Sequence, residues 1–258
     1  MKILVCLKQV PHKDARLDIA GHGTWIDDAN LKFEINDYDN YALEAALRIK
    51  DAGEAEVIVA TIGPDRVVQS LRTALGMGAD RAVHVKDEAL EGSDSLGVAK
   101  SLAAIAAQES PDLILTGLMS DDANYGLTGP MLAELSGLPH ATGIVSCEHA
   151  GESITVEREL EGGALEVVEL PLPALVTVQT GMNEVRYASL KGIMQAKKKP
   201  LETKSVADLG LQASDVAPKV TIEKIYMPPK GEGAEILQGS AAEVSQQLVT
   251  KIKELGLL

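Results

Sequence analysis

The residues best suited to chemistry in this chain lie in a polar, glycine-containing segment at positions 117–131. The segment follows a short apolar run and precedes apolar residues at helical spacing, so it joins a strand to a helix. Ser120, Asn124 and Thr128 offer hydroxyl and amide groups, and the glycines let backbone N–H groups approach an anion. This pattern is typical of a nucleotide site, although Asp121 and Asp122 would repel phosphate unless they face a ribose or cap a helix. An ordinary capped helix entry is the alternative.

A second polar cluster, Asn36-Asp37-Tyr38-Asp39, stands at another junction between a strand and a helix. Its spacing favours capping of the helix that follows, because Asn and Asp side chains accept hydrogen bonds from the first N–H groups of a helix. A contact to a ribose or an adenine is the alternative interpretation.

A third segment, 186–199, has a positive net charge in a chain whose overall net charge is negative. It contains five Lys or Arg residues and no Asp or Glu, whereas the whole chain has a net charge of −14. Such a segment either faces an acidic partner or cofactor, or is the solvated basic end of a helix.

Residues that could form a catalytic or metal centre do not combine into a known spacing. The five histidines show no ligand pattern, and Cys6 and Cys147 are far apart and have no adjacent activating group. Cys6 lies inside the first apolar run, where a cysteine is more often a small core residue than a nucleophile. We therefore predict no catalytic residue and no metal site.

Composition excludes further classes. The pI of about 4.8 argues against a nonspecific nucleic-acid binder, and an aromatic content of 3% argues against a platform that stacks bases. The apolar runs are far shorter than the roughly 20 residues of a membrane span, and the amino terminus runs straight into a strand. These features predict a cytoplasmic chain without membrane insertion.

Apolar runs and helical patterns alternate along the first 200 residues, which predicts an α/β fold with a doubly wound, mostly parallel, Rossmann-like sheet. From residue 144 to 170 apolar and polar residues alternate with a period of two, which is typical of strands with one exposed face. Gly162-Gly163 supplies a turn, so we expect an antiparallel hairpin addition. Pro200 predicts the end of the nucleotide-binding domain at 1–200. Residues 201–258 then form an extended C-terminal arm with one amphipathic helix at 241–255 and little core of its own.

The expected elements of the main domain are strands at 1–8, 56–62, 82–86, 113–116, 144–147, 153–159, 166–170 and 174–179, and helices at 38–52, 66–75, 94–108 and 127–135.

Several of these segments resemble one protein family. The runs 156–163, 172–178 and 183–200 closely resemble the signature of the electron transfer flavoprotein beta subunit, and 3–9, 72–80 and 208–210 are similar to that family in the same order. The resemblance covers essentially the whole chain, including the arm.

The resemblance implies a heterodimer with an alpha subunit that holds most of the FAD, with the arm packing on that subunit. Such a dimer carries electrons from flavin dehydrogenases, such as acyl-CoA dehydrogenases, to a quinone oxidoreductase, and its beta subunit binds AMP. The family pattern places the nucleotide against Cys6, Asn36, Asp37, Tyr38, Asp39, Ile62, Ser120, Asp122, Ala123, Asn124, Tyr125, Gly126, Leu127, Thr128, Gly129, Pro130 and Met131.

The resemblance also gives the basic segment a role as a partner recognition loop. In the family, a leucine that corresponds to Leu190 inserts into an apolar pocket of the dehydrogenase. One position departs from the pattern, because this chain has Val185 where members usually have proline. The implied loop consists of Arg186, Tyr187, Ala188, Ser189, Leu190, Lys191, Gly192, Ile193 and Met194.

Two alternatives remain open at this point. In the electron-bifurcating branch of the family, the beta subunit binds a second FAD in place of AMP and NADH is the donor. Branch members tend to carry an Ala-Gln-Val-Gly-Pro run in the nucleotide loop, whereas this chain has Tyr-Gly-Leu-Thr-Gly-Pro at 125–130, which favours AMP. The other alternative is a stand-alone nucleotide-binding protein of the universal-stress type, and the long arm argues against it.

Overall fold

A nine-stranded sheet forms the centre of the molecule. The computed structural model describes residues 1–53, 55–229, 231 and 233–258. The strand order of the large sheet is β11-β5-β4-β1-β6-β10-β7-β8-β9, and β2 and β3 form a separate antiparallel pair. The strands are β1 Lys2–Cys6, β2 Gln9–Pro11, β3 Phe33–Ile35, β4 Glu56–Ile62, β5 Arg81–Val85, β6 Leu113–Gly117, β7 His140–Ala150, β8 Ser153–Glu159, β9 Leu165–Pro171, β10 Ala174–Val178 and β11 Leu201–Lys204.

Helices cover both faces of this sheet. The longer ones match the predicted positions to within about two residues, which is the usual uncertainty of helix ends. The helices are α1 Asp37–Ala52, α2 Val68–Met77, α3 Ser95–Glu109, α4 Thr128–Ser136, α5 Leu190–Ala196, α6 Ala213–Val216 and α7 Ala241–Glu254.

The order of the strands confirms the predicted α/β fold. All pairs from β11 across to β7 are parallel. The first strand is central, between β4 and β6, as its apolar sequence predicts. From β1 the chain first builds the side of the sheet that contains β4 and β5, and it then crosses to β6 on the other side. The carboxyl ends of β1 and β6 therefore flank the topological switch point, where ligands bind in open α/β sheets.

The predicted antiparallel addition is also present. Strand β7 pairs with β10 in parallel and with β8 antiparallel, and β8 pairs antiparallel with β9. Gly162 and Gly163, which have φ of 76° and 77°, lie in the connection between β8 and β9. A positive φ favours glycine, so the Gly-Gly pair identified this turn correctly.

Two apolar layers enclose the sheet because successive residues of a strand point to opposite faces. On one face, Ile3 and Val5 of β1 belong to the core cluster that contains Leu43 of α1. On the other face, Leu4 belongs to the cluster that contains Leu102 of α3.

The compact part of the chain continues beyond Pro200. Strand β11 pairs with β5 at the edge of the sheet, and Val206, Leu209 and Val216 are buried in the second core cluster. The predicted arm began at residue 201, but residues 201–216 belong to the sheet and its core. Strand β11 was missed because its four residues, two of them charged and two exposed, carry no apolar pattern.

Residues 217–258 form the part of the arm that lies outside this core, and Lys230 and Glu232 of the arm lie outside the described residues. Helix α7 matches the predicted amphipathic helix, and none of its described side chains is buried. Among the helices of the described residues, none combines the length and the apolar character that crossing a membrane requires.

Candidate functional site

The carboxyl ends of β1 and β6, together with the start of α1 and the loop before α4, form the candidate site. Lys8 follows β1, and Gly117 ends β6. The two polar clusters singled out in the sequence meet here, because the segment at 117–131 follows β6 and the cluster at 36–39 lies at the start of α1.

Asp39 of α1 joins the two central strands at this edge. Its Oδ2 accepts the backbone N–H of Lys8 at 2.6 Å, and its Oδ1 accepts the backbone N–H of Gly117 at 3.0 Å. Burial raises the pKa of Asp39 to about 7, although these backbone N–H groups and Lys8 favour the ionised form. A Cβ atom at position 117 would collide with Asp39 and would lie 2.6 Å from Cβ of Tyr38, so this position requires glycine. Asp39 thus acts as a fixed bridge between the strand ends.

Asn36 connects α1 to the loop after β6. Its Nδ2 donates to the carbonyl of Met119 at 2.8 Å, and its Oδ1 accepts the backbone N–H of Asp121 at 2.9 Å. Among the described contacts, its side chain makes no capping bond to its own helix, so the helix-cap interpretation of Asn36 is wrong. Asp121 takes that role from the other segment, since its Oδ2 accepts the backbone N–H of Asp37 at 3.1 Å.

Lys8 neutralises part of the acidic loop. Its Nζ lies 2.6 Å from Oδ1 of Asp122 and 3.1 Å from Oγ of Ser120. The carboxylate of Asp121 therefore accepts a hydrogen bond from the start of α1, and the carboxylate of Asp122 is paired with the ammonium group of Lys8. Asp121 thus caps a helix, which is one of the two arrangements under which the sequence allows acidic residues in an anion-binding loop.

The remainder of the loop leads into the start of α4. Asn124 and Gly126 have positive φ of 55° and 62°, and the backbone N–H of Asn124 donates to the carbonyl of Ser120 at 2.8 Å, so the loop is a compact turn. A Cβ atom at Gly129 would lie 2.5 Å from Cγ2 of Thr177 and 2.8 Å from Oγ1 of Thr116. The first turn of α4 therefore lies directly against the ends of β6 and β10.

The start of α4 has the features of an anion site. Among the described residues, no side chain caps this helix at Leu127, and the first turn contains no acidic residue. Unpaired N–H groups and the helix dipole favour a negative group at such a position. Ala123, Thr128, Pro130 and Met131 are half-buried beside it, whereas Tyr125 and Leu127 are exposed.

Cys6 and Ile62 lie at the ends of neighbouring strands, and neither shares a described hydrogen bond with the loop. Cys6 is 7% exposed and packs in the second core cluster. Burial, with a smaller contribution from Asp39, raises the pKa of the Cys6 thiol well above its usual value. Cys6 is therefore a core residue that is not a reactive thiol, as expected from its position in a strand.

Comparison with known proteins identifies the family. The model of the electron transfer flavoprotein domain matches residues 23–209. The electron transfer flavoprotein subunit beta of Methylophilus methylotrophus is 39% identical over 98% of this chain and 98% of its own length. The corresponding subunits of Bradyrhizobium diazoefficiens and Bos taurus are 41% and 35% identical, over 100% and 99% of this chain and 100% and 98% of their own lengths. The chain belongs to the family of electron transfer flavoprotein beta subunits.

In this family member, the segment that resembles the recognition loop lies apart from the site just described, beside α1 and α2. Tyr187, Leu190 and Met194 are 94%, 84% and 73% exposed. Ser189 caps α5, because its Oγ accepts the backbone N–H of Gly192 at 3.0 Å. Leu190 is therefore the first residue of a short, capped helix and projects into solvent.

The positive charge of this segment is only partly free. Arg186 is held by Glu44, and Nζ of Lys199 donates to the carbonyl of Leu75 at 3.0 Å. Lys191, Lys197 and Lys198 are exposed. The segment is thus both a solvated basic surface and a structural connection.

Three residues that matter for this geometry were not found from the sequence. Lys8 could have been found from the sequence, since it is a basic residue at the end of the first predicted strand. Gly117 was noted only as the start of the loop, and its close contact with Asp39 depends on a neighbour 78 positions away. Glu44 carried no signal, because its partner Arg186 is 142 positions away.

Proposed function

We propose that this chain is the beta subunit of a heterodimeric electron transfer flavoprotein, which carries electrons from flavin dehydrogenases to a quinone oxidoreductase. The observation that carries the proposal is that Asn36, Asp39 and the 120–131 loop meet at the topological switch point. The full length of the chain also aligns with beta subunits. The chain itself has a binding and docking role, with no catalytic residue assigned to it.

The nucleotide in this chain is AMP. Its phosphate meets the uncapped first turn of α4, where the N–H groups of Thr128 and Gly129 and the hydroxyl of Thr128 are suitable donors. Asn36, Asp39 and Lys8 act indirectly, because their own hydrogen bonds hold the loop and the strand ends in place. The ribose and the adenine lie between this loop, Tyr38 and the strand ends that carry Cys6 and Ile62.

The alpha subunit completes the carrier. FAD, held mainly by that subunit, supplies the electron-accepting group, and this chain contributes the exposed Leu190 for brief docking to a dehydrogenase. A single apolar anchor with a polar rim suits a complex that must form and dissociate in each cycle. The arm at 217–258 packs on the alpha subunit, which agrees with its exposed apolar residues Ile236, Leu248 and Leu255.

A count of cofactors tests this function. The chain is co-expressed with an electron transfer flavoprotein alpha subunit from the same organism, the purified complex is denatured, and the released FAD and AMP are quantified by chromatography. One FAD and one AMP per dimer is the expected result. Two FAD and no AMP would place the protein in the electron-bifurcating branch, and a complex without flavin would contradict the proposal altogether.

A further inference from the structure

One face of helix α1 holds the segment that leads into the recognition loop. Asn183 donates from Nδ2 to the carbonyl of Tyr41 at 3.0 Å, and Nη2 of Arg48 donates to the carbonyl of Glu184 at 3.2 Å. Tyr41, Glu44 and Arg48 are three and four positions apart, so they lie on the same side of the helix. Residues 183–186 therefore follow this helix face.

Glu44 is the centre of these contacts. It is 3% exposed, and its Oε2 accepts the Nε of Arg186 at 2.8 Å and the backbone N–H of Arg186 at 3.2 Å. Its Oε1 accepts Nη2 of Arg186 at 3.1 Å and Nε of Arg48 at 2.9 Å. Burial works to raise the pKa of Glu44, but the hydrogen bonds from Arg186 and Arg48 outweigh it and hold the pKa below its usual value. A bidentate contact of this kind fixes the direction of the guanidinium as well as its charge.

The other end of the exposed stretch is also fixed. A Cβ atom on Gly192 of α5 would collide with the carbonyl oxygen of Gly76 in α2, so these helices cross in close contact. Ala188 is half-buried and packs against the first core cluster. Tyr187 and Leu190 therefore stand on a stretch anchored at Arg186 on one side and at Gly192 on the other.

We propose that Glu44 is a positioning residue for partner recognition, which holds Arg186 and so fixes the stretch that presents Leu190. The inference rests on the function proposed above and deepens it. Glu44 is buried, so in this proposal it acts through Arg186 and is not itself a contact residue. It acts because a docking residue whose backbone is already ordered loses less conformational freedom when it binds.

The first test replaces Glu44 by glutamine in the co-expressed dimer. Reduction of the flavin by an acyl-CoA dehydrogenase with its acyl-CoA substrate is followed by the bleaching of flavin absorbance, at increasing concentrations of the dimer. We expect the KM for the dimer to rise about 3- to 10-fold, the range expected when one side chain must be ordered on binding, with kcat and the FAD and AMP contents unchanged. Arg186→Gln should give the same change, and the double variant should be no worse than either single one.

A second measurement needs no electron transfer. Trypsin requires a free Arg or Lys side chain, and Arg186 is held by Glu44 and Asp51. Limited proteolysis followed by mass spectrometry should therefore show faster cleavage after Arg186 in Glu44→Gln than in the wild type.

Glu109→Gln is the matched control. Glu109 binds Arg81 through both oxygens, and Arg81 also binds a second carboxylate, Glu56, as Arg186 binds Asp51. This cluster connects β5, α3 and β4 away from the loop, so its loss should leave the KM and the cleavage after Arg186 unchanged.

The outcomes are distinguishable. A wild-type dimer with FAD that no flavin dehydrogenase reduces would contradict the proposed function and this inference together. A reducible wild type with an unchanged KM in both Glu44→Gln and Arg186→Gln would contradict this inference alone. An equal KM increase in Glu109→Gln would also overturn it, because the effect would then follow from general loss of stability.

Discussion

Asp39 shows how a single buried side chain organises the candidate site. Both of its oxygens accept backbone N–H groups, one from Lys8 beyond the end of β1 and one from Gly117 at the end of β6. In Asp39→Asn, the amide NH₂ must face one of these two donors and leaves it without an acceptor. An unpaired buried donor costs about 1–3 kcal/mol, so we expect a loss of this size in the free energy of unfolding, measured by urea denaturation at pH 5. Asp37→Asn, an exposed change at the same helix start, should cost far less.

The same residue predicts a pH dependence of stability. The ordinary pKa of the aspartate is 3.8, whereas burial raises the pKa of Asp39 to about 7 in the folded chain. Between these values the folded state holds more protons than the unfolded state, so the contribution of Asp39 to the free energy of unfolding falls as the pH rises. The difference in stability between the wild type and Asp39→Asn should therefore shrink from pH 4 to pH 7. A constant difference across a urea denaturation series at these pH values would show that Asp39 does not titrate in this window.

Leu190 is the residue that we expect to contact a dehydrogenase. It is 84% exposed at the start of α5, so Leu190→Ala removes an apolar contact surface without leaving a cavity. We expect partner-driven flavin reduction to weaken about 10-fold in catalytic efficiency, as for a central anchor of an interface, with unchanged FAD and AMP contents. Leu135→Ala, at an exposed leucine of α4, is the control and should leave the rate unchanged. Loss of nucleotide in Leu190→Ala would show instead that this residue has a structural role.

The position of α4 depends on its close approach to β6 and β10 at Gly129. In Gly129→Ala, the new Cβ atom would meet Thr177 at 2.5 Å and Thr116 at 2.8 Å, so the first turn of the helix must move away from the strand ends. We expect AMP to be lost from the purified complex while the FAD content and the far-UV circular dichroism stay close to those of the wild type. In Gly21→Ala the Cβ atom meets nothing within 4 Å, and AMP should be retained. Retention of AMP by Gly129→Ala would contradict the placement of the phosphate at this turn.

The elements that the sequence predicted are those with a strong apolar signal. Strands β1, β4 and β6 are almost entirely buried, and their uninterrupted apolar runs gave the parallel sheet. Strands β2, β3 and β11 have three or four residues each, and helix α5 buries only Ala196, so pattern alone could not identify them. Local sequence placed the cluster at 36–39 and Asp121 each at a junction between a strand and a helix. It did not predict the hydrogen bonds that join Asp121 to Asn36 and Asp37, because those depend on how α1 and the loop pack together.

The chain as a whole divides into a core that extends to Val216 and an arm that buries few apolar side chains against that core. Arm contacts to the body include the backbone N–H groups of Lys219 and Val220, which donate to Asp94 at 2.6 and 3.2 Å, and the N–H of Ile225, which donates to the carbonyl of Gly23 at 2.9 Å. These bonds fix the path of the first arm residues. The apolar side chains farther along remain exposed, so another surface must cover them if they are to be removed from water.

Helix α7 makes this requirement testable. Val244, Leu248, Ile252 and Leu255 recur at intervals of three or four, which places them along one stripe, and Leu248 is 50% exposed. In Leu248→Glu, a charge enters the middle of this stripe, and we expect the affinity for the alpha subunit to fall about 10-fold or more. Gln246→Glu adds the same charge on the opposite side of the same helix and should leave the affinity unchanged. Sedimentation velocity on a dilution series of each complex measures both. If the two variants dissociate at the same concentration as the wild type, the stripe does not face the alpha subunit, and the arm must be assigned to a different surface.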